Sequence, residues 1–386
     1  MFVIAFFLGA TVAMITVLLF IALVPQEREP GDHKKHLDEL ASGIDVYYFT
    51  LVICFIIGAT GVAVQVFRAY GVNYAFIFEI DQHYRLIHHQ LYKTALIFTF
   101  IWFFCLVWQL MEVKLNLVFS SDFPIFTILL LGSFLAICLL PLHVGYLQAR
   151  IQVAKTLFNI LISPFGKVRF RHFFLADVLT SMVSSLQNIA IIMCYFKTGD
   201  FETSTVVSDL QGTCPVLYDY KIAMGFIPYW FRFAQCLNKW YNTGLRAHLI
   251  NAGKYFSDLC VPLVGLPLFV KKSSADGALL VDEVNAAFWT YCAVHFIAST
   301  YSYAWDILMD WGLLRVNTPG HPHRFLREKI NYHPYFYYWS MVTDGILRFF
   351  WVITLFAATK GEKGSVFNSL SIISLISILA EAFRRA

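Results

Sequence analysis

A succession of ten apolar stretches constrains this chain more than any other feature. Each is close to the roughly 20 residues a helix needs to cross a bilayer. They run over Phe2–Val24, Ile44–Phe67, Leu91–Met111, Phe123–Leu140, Phe173–Phe196, Lys221–Cys236, Leu249–Val270, Val284–Leu308, Tyr335–Ala358 and Val366–Arg385. The chain has 386 residues, 58% of them hydrophobic and only 14% charged. A soluble domain carries about 25% charged residues, so no water-surrounded core could absorb this much apolar surface. Backbone polar groups inside lipid must be satisfied within the segment, which selects helices. The expected fold is an all-α polytopic membrane protein with about ten transmembrane helices. Met1–Val24 lacks a basic leading region and is longer than a signal-peptide core, so it reads as a spanning helix.

The loops suggest an orientation. The stretch Gln148–His172 carries Arg150, Lys155, Lys167, Arg169 and Arg171 and no acid. Its apolar Ile151, Leu157, Ile160 and Leu161 suit an amphipathic helix lying at the membrane interface. The loop Asp310–Asn331 holds Arg315, Arg324, Arg327 and Lys329, whereas Lys197–Tyr220 is acidic. Lys and Arg favour the cytoplasmic side. The expectation is therefore that the even-to-odd loops and both termini face the cytosol. Basic residues are dispersed among apolar helices rather than gathered in a stripe, which argues against nucleic acid. The eight cysteines form no CxxC pair and no Cys/His cluster, so neither a metal site nor a disulfide framework is indicated, and they read as small buried hydrophobes. No nucleophile–base spacing or phosphate-binding glycine loop appears, so no enzyme and no cofactor are expected.

The distribution of charge divides the chain. Residues 1–145 read as a transmembrane scaffold of four helices, 146–172 as the basic interfacial segment, and 173–386 as a six-helix transport core. Each of the last six helices carries a charge: Asp177, Arg232, Lys254 with Asp258, Asp306 near Asp310, Asp344 with Arg348, and Glu381 with Arg384 and Arg385. A charge at the centre of a lone membrane helix costs about 2.5–3.5 kcal/mol on insertion scales, so these residues face protein or a water-filled cavity. Arginine's planar fork suits an oxyanion. Asp177 and Asp306 could be counter-ions that offset the desolvation of the cations, or could hold a protonated substrate oxygen. Asn251-Ala-Gly-Lys254 could break its helix and expose backbone N–H groups to an anion, or could be a plain helix start. Trp351, three residues beyond Arg348, could plug a pore from the same face, or could simply pack. Gly9 and Ala13 form a small-residue seam on the first helix, suited to pairing with a second copy or to packing within one.

Several motifs occur together and in order: Trp230-Phe-Arg-Phe-Ala-Gln-Cys-Leu, His248-Leu-Ile-Asn-Ala-Gly-Lys-Tyr, Trp305-Asp-x-x-x-Asp-Trp-Gly-Leu, Phe325-Leu-Arg, Ile346-Leu-Arg-Phe-x-Trp and Glu381-Ala-Phe-Arg-Arg. Gly71-Val-Asn-Tyr-x-x-Ile-Phe-Glu and Leu175-Ala-Asp precede them. This ordered set resembles the EXS domain of eukaryotic phosphate exporters. That family includes the xenotropic and polytropic retrovirus receptor of animals and the plant exporters that load phosphate into the xylem.

The resemblance implies export of inorganic phosphate along a path lined by Asp177, Lys221, Lys254, Tyr255, Asp306, Arg348, Arg384 and Arg385. Trp351 and Glu381 match the family's gate region. Lys221 stands where the animal exporters carry an arginine, keeping the cation and losing the fork. The resemblance also implies a homodimer, for which the first helix offers a seam, and a plasma-membrane or Golgi-type endomembrane location. Inositol pyrophosphate would act only through an SPX domain, which this sequence lacks. The chain would then be a trimmed transmembrane core or an SPX-less relative like the fungal Golgi members. The alternative reading is a non-transporting receptor, or a Golgi trafficking or phosphate-recycling factor, whose buried charges are structural. A membrane enzyme acting on a phosphorylated lipid would need a nucleophile or metal cluster that the sequence does not offer.

Overall fold

The structure is a computed structural model. It describes residues 9, 11–16, 43–80, 85–115, 125–141, 146–163, 165–199, 210–274, 286–314, 325–327, 330, 332–359, 376–377, 379–381 and 383–384. Among these residues the regular structure is entirely helical. In chain order the helices of ten residues or more are α1 (Ile44–Ala69), α2 (His88–Leu115), α3 (Ile125–Leu139), α4 (Leu147–Ile162), α5 (Phe170–Ser181) and α6 (Val183–Thr198). They continue with α7 (Pro215–Thr243), α8 (Arg246–Ser274), α9 (Ala286–Trp305), α10 (Pro334–Arg348) and α11 (Phe350–Thr359). Most of the first and last apolar stretches lie outside the described residues, as does the loop Pro25–Ser42.

Among the described residues, two helical segments, Ile44–Ala69 and His88–Met111, are long and apolar enough to cross a membrane, and α5 with α6 makes a third if counted as one span. The described residues do not establish the expected ten. In the most apolar window of α1 and of α2 only 28% of residues are buried inside the protein. Helices this apolar and this uncovered need lipid around them.

Residues 1–156 and 182–224 form one compact unit, and 157–181 with 225–385 form another. The first is built on α1, α2, α3 and α6. Val46, Tyr47, Cys54, Phe98, Cys105 and Leu130 form its core. Gln109, buried on α2, accepts from Tyr47 Oη at 2.6 Å and Thr127 Oγ1 at 3.1 Å. α1 starts after Gly43, whose φ is +68°. A Cβ there would lie 2.6 Å from Thr127 Cγ2, so glycine meets both a backbone and a packing requirement.

The structure corrects three expectations and decides one open alternative. The fifth apolar stretch is not one helix: it breaks at Met182 between α5 and α6. Thr180 Oγ1 donates to the Asp177 carbonyl at 2.7 Å, a competition with the helical ladder that bends helices. The ninth stretch breaks at Phe349, so Arg348 and Trp351 do not share one continuous helical face. Asn251–Lys254 does not break its helix; α8 runs through it. Gly253 serves packing instead: a Cβ there would stand 3.0 Å from Tyr301 Oη of α9, which donates to the Ile250 carbonyl at 2.8 Å. Finally, Cys194 and Cys214 form a disulfide across a separation of 20 residues, where the sequence reading expected none. Spacing alone could not show it, because neither cysteine belongs to a recognisable framework.

Candidate functional site: a buried charge tract

In the second unit, Arg232, Lys254, Asp306 and Asp344 are buried charges within or beside the apolar stretches, whereas Asp310 is exposed. α5 supplies Asp177, α7 Arg232, and α8 Lys254 and Tyr255. The π-helical turn Asp306–Asp310 that closes α9 supplies both of its carboxylates, α10 supplies Asp344 and Arg348, and the C-terminal residues supply Glu381 and Arg384.

The tract has two groups. The first centres on Arg232, which is 2% exposed. Its Nε donates to Asp177 Oδ1 at 3.2 Å, Nη1 to Gln235 Oε1 at 3.2 Å and Nη2 to Tyr255 Oη at 2.6 Å. Tyr255 in turn donates to Asp177 Oδ1 at 2.6 Å. The guanidinium lies 3.4 Å over the Phe173 ring and 4.5 Å from the Tyr255 ring. Gln235 passes the network on to Ser163 Oγ at 2.9 Å. Arg232 is therefore satisfied edge and face, the condition for burying a charge without heavy loss. Lys254, also 2% exposed, places Nζ 4.3 Å from the Tyr255 ring and 5.8 Å from the Trp305 ring.

The second group centres on Asp306. Its Oδ2 accepts from Arg348 Nη2 in a very short contact and from Arg384 Nη1 at 3.4 Å. Arg384 Nη1 also lies 3.7 Å from Asp344 Oδ1, and its Nε donates to Glu381 Oε2 at 3.1 Å. Arg348 Nε is 3.5 Å from Asp344 Oδ2, a distance that gives attraction without a well-formed hydrogen bond. Two guanidinium groups thus converge on one carboxylate oxygen. Asp310, at the far end of the π-helical turn, accepts from Trp305 Nε1 at 3.0 Å. Asp306 opens the π-helical turn, in which the Trp311 N–H donates back to the Asp306 carbonyl at 2.8 Å. π-helical turns are frequent at functional positions.

Of the residues expected from the sequence, Asp177, Lys254 and Tyr255 fall in the first group, and Asp306, Arg348, Arg384 and Glu381 in the second. Trp351 sits at the start of α11 against α9. Lys221 lies elsewhere, in the first unit, where it acts electrostatically on Asp45. Asp45 there also accepts from Asn188 Nδ2 at 3.1 Å and Tyr195 Oη at 2.8 Å. Arg385 lies outside the described residues. Arg232 and Asp344 stand out in the sequence as membrane charges, and the structure makes both integral to the tract. Gln235 and Ser163 gave no signal in sequence beyond being polar.

A family model described as the EXS family matches residues 44–386. The chain belongs to the EXS family. It is similar to a "Xenotropic and polytropic retrovirus receptor 1 homolog" of Xenopus laevis, 30% identical over 334 residues, covering 84% of this chain and 46% of that protein. It is 30% identical over 362 residues to "Phosphate transporter PHO1 homolog 1" of Arabidopsis thaliana, covering 92% of this chain and 43% of that protein. Human "Solute carrier family 53 member 1" is 29% identical over 336 residues, covering 84% and 46%. This EXS chain thus spans less than half the length of these curated relatives.

Proposed function

We propose that this EXS chain moves inorganic phosphate across a membrane, from the cytosol outward, along the buried charge tract of its second unit. The observation that carries the reading is the convergence of Arg348 and Arg384 on the single carboxylate oxygen of Asp306. A phosphate oxygen has the same needs as that carboxylate oxygen, and two forks can grip it from two sides. Asp306 then holds the place in the resting state and is displaced by the arriving anion. Asp344 and Glu381 keep the grip loose enough for release, as a conduction path requires. Lys254, Tyr255 and Asp177 extend the route, Arg232 fixes the last two, Arg385 adds a cation at the cytosolic end, and Trp351 closes the way at rest. Lys221 enters as a separate cation beside Asp45. Names of relatives such as the Arabidopsis phosphate transporter support phosphate as the cargo.

The orientation proposed puts both termini and the basic Gln148–His172 segment in the cytosol. The Cys194–Cys214 disulfide supports it, because such bonds persist on oxidising faces, and it lies by the acidic loop assigned outside. Plasma membrane is the proposed location, and a homodimer through the first helix the proposed assembly.

A second reading is favoured by one observation. Arg232, Arg348 and Arg384 each pair with a carboxylate, so the tract could simply bind helices together in a receptor that transports nothing. Radiolabelled phosphate flux from proteoliposomes of the purified chain decides. Flux in the native protein, lost in Arg348→Gln at equal incorporation, is the expected result. No flux from a monodisperse preparation would favour the structural reading.

A further inference from the structure

Trp351 rests in a seat built by residues of α9. Its indole lies flat on the His295 imidazole, ring centroids 4.1 Å and planes 14° apart. Its Nε1–H donates to Ser299 Oγ at 3.1 Å. One turn back, Tyr291 meets His295 edge-on at 5.6 Å. Residues 291, 295 and 299 recur every fourth position, so one stripe of α9 forms the whole seat.

The two halves of the seat differ in quality. Ser299 is buried and satisfies the only polar atom of the indole, so removing its hydroxyl leaves a donor without a partner in an apolar setting. His295 stacks well, yet its Nδ1 is buried and makes no hydrogen bond among the described residues. A phenyl ring would offer the same flat face without that desolvation cost. The seat therefore holds the indole firmly by its N–H and less firmly by its ring than the geometry permits.

We infer that His295 and Ser299 are positioning residues that set how long Trp351 stays in its closing position, with histidine as the releasable half. This inference rests on the transport reading and on Trp351 as its gate. Ring-preserving and ring-deleting changes at position 295 should then act in opposite directions, which a residue that merely fills space would not do.

The test is efflux of radiolabelled inorganic phosphate from proteoliposomes, with each variant matched for incorporation and size-exclusion profile. His295→Ala should raise resting flux several-fold, and His295→Phe should lower it below the native level. Ser299→Ala should raise it about fivefold, the equivalent of one hydrogen bond. On a Trp351→Ala background, Ser299→Ala should add nothing, because it acts only through the indole. Changes of the same sign at position 295, or a further rise on the Trp351→Ala background, overturn the inference while leaving the gate intact. Equal flux from native and Trp351→Ala protein overturns the gate and the seat with it. Absence of native flux overturns the transport reading itself.

Discussion

Arg348 shows how little freedom a buried guanidinium has. It bridges Asp306 and Asp344, and all three side chains are at most 10% exposed. Removing one member of such a set strands the rest, typically at about 3–5 kcal/mol. Arg348→Gln should therefore lower stability in detergent by about that amount, read from thermal or denaturant unfolding. The double change Arg348→Gln with Asp306→Asn should recover part of the loss, because fewer charges are left uncompensated, yet it should still carry no phosphate. Recovered stability without flux would separate the fold's use of this pair from its use in transport. Arg232 makes a sharper case. Three of its nitrogens have three different partners, and an ammonium cannot reproduce that fork. Arg232→Lys should destabilise by about 2 kcal/mol, and Tyr255→Phe, which removes one shared hydroxyl, by about 1 kcal/mol. Equal effects of the two would mean that the fork is not what matters. The charge of Arg232 was visible in the sequence; its place at the centre of a knot was not, because Asp177 and Tyr255 lie 55 and 23 residues away.

At the scale of elements, helix placement depends on a few close approaches. Gly345 brings α10 against α9, where a Cβ would stand 3.3 Å from the Tyr303 ring, and Tyr303 Oη donates to the Met341 carbonyl at 3.2 Å. Gly253 does the same for α8. At Gly43 the backbone itself requires glycine. Gly43→Ala should cost at least about 1–2 kcal/mol from the left-handed conformation, plus the clash with Thr127. Thr127→Ala on that background should relieve the clash and leave the backbone cost, so the rescue should be partial. Full rescue would show that the conformation at position 43 is not strained. Apolar run length located most helices to within a few residues, since burying apolar surface and satisfying the backbone both favour unbroken helix. It did not locate the breaks at Met182 and Phe349. Those depend on local backbone geometry and on neighbours, which hydropathy does not register.

At the scale of the molecule, the Cys194–Cys214 bond makes the orientation testable. It closes a loop of 20 residues, for which chain entropy suggests about 3 kcal/mol. A membrane-impermeant reductant followed by an impermeant maleimide should label both cysteines on sealed cells, while probes in the Gln148–His172 segment should stay unreactive until the membrane is opened. Labelling of that basic segment from outside would invert the proposed topology.

By itself the sequence determined that this is a helical membrane protein of the EXS type with ionisable groups set into its apolar helices. Lipid makes charge expensive, so each such residue stands out against its surroundings, and the ordered motifs carry the kinship. The tertiary structure decided which charges meet: that Arg348 and Arg384 share the Asp306 oxygen, that Arg232 ties Asp177 to Tyr255, that Lys221 belongs with Asp45, and that Trp351 lies on His295. Those pairings join residues from 23 positions apart, Arg232 and Tyr255, to 176, Asp45 and Lys221. They are set by how helices pack, which periodicity along one helix cannot specify.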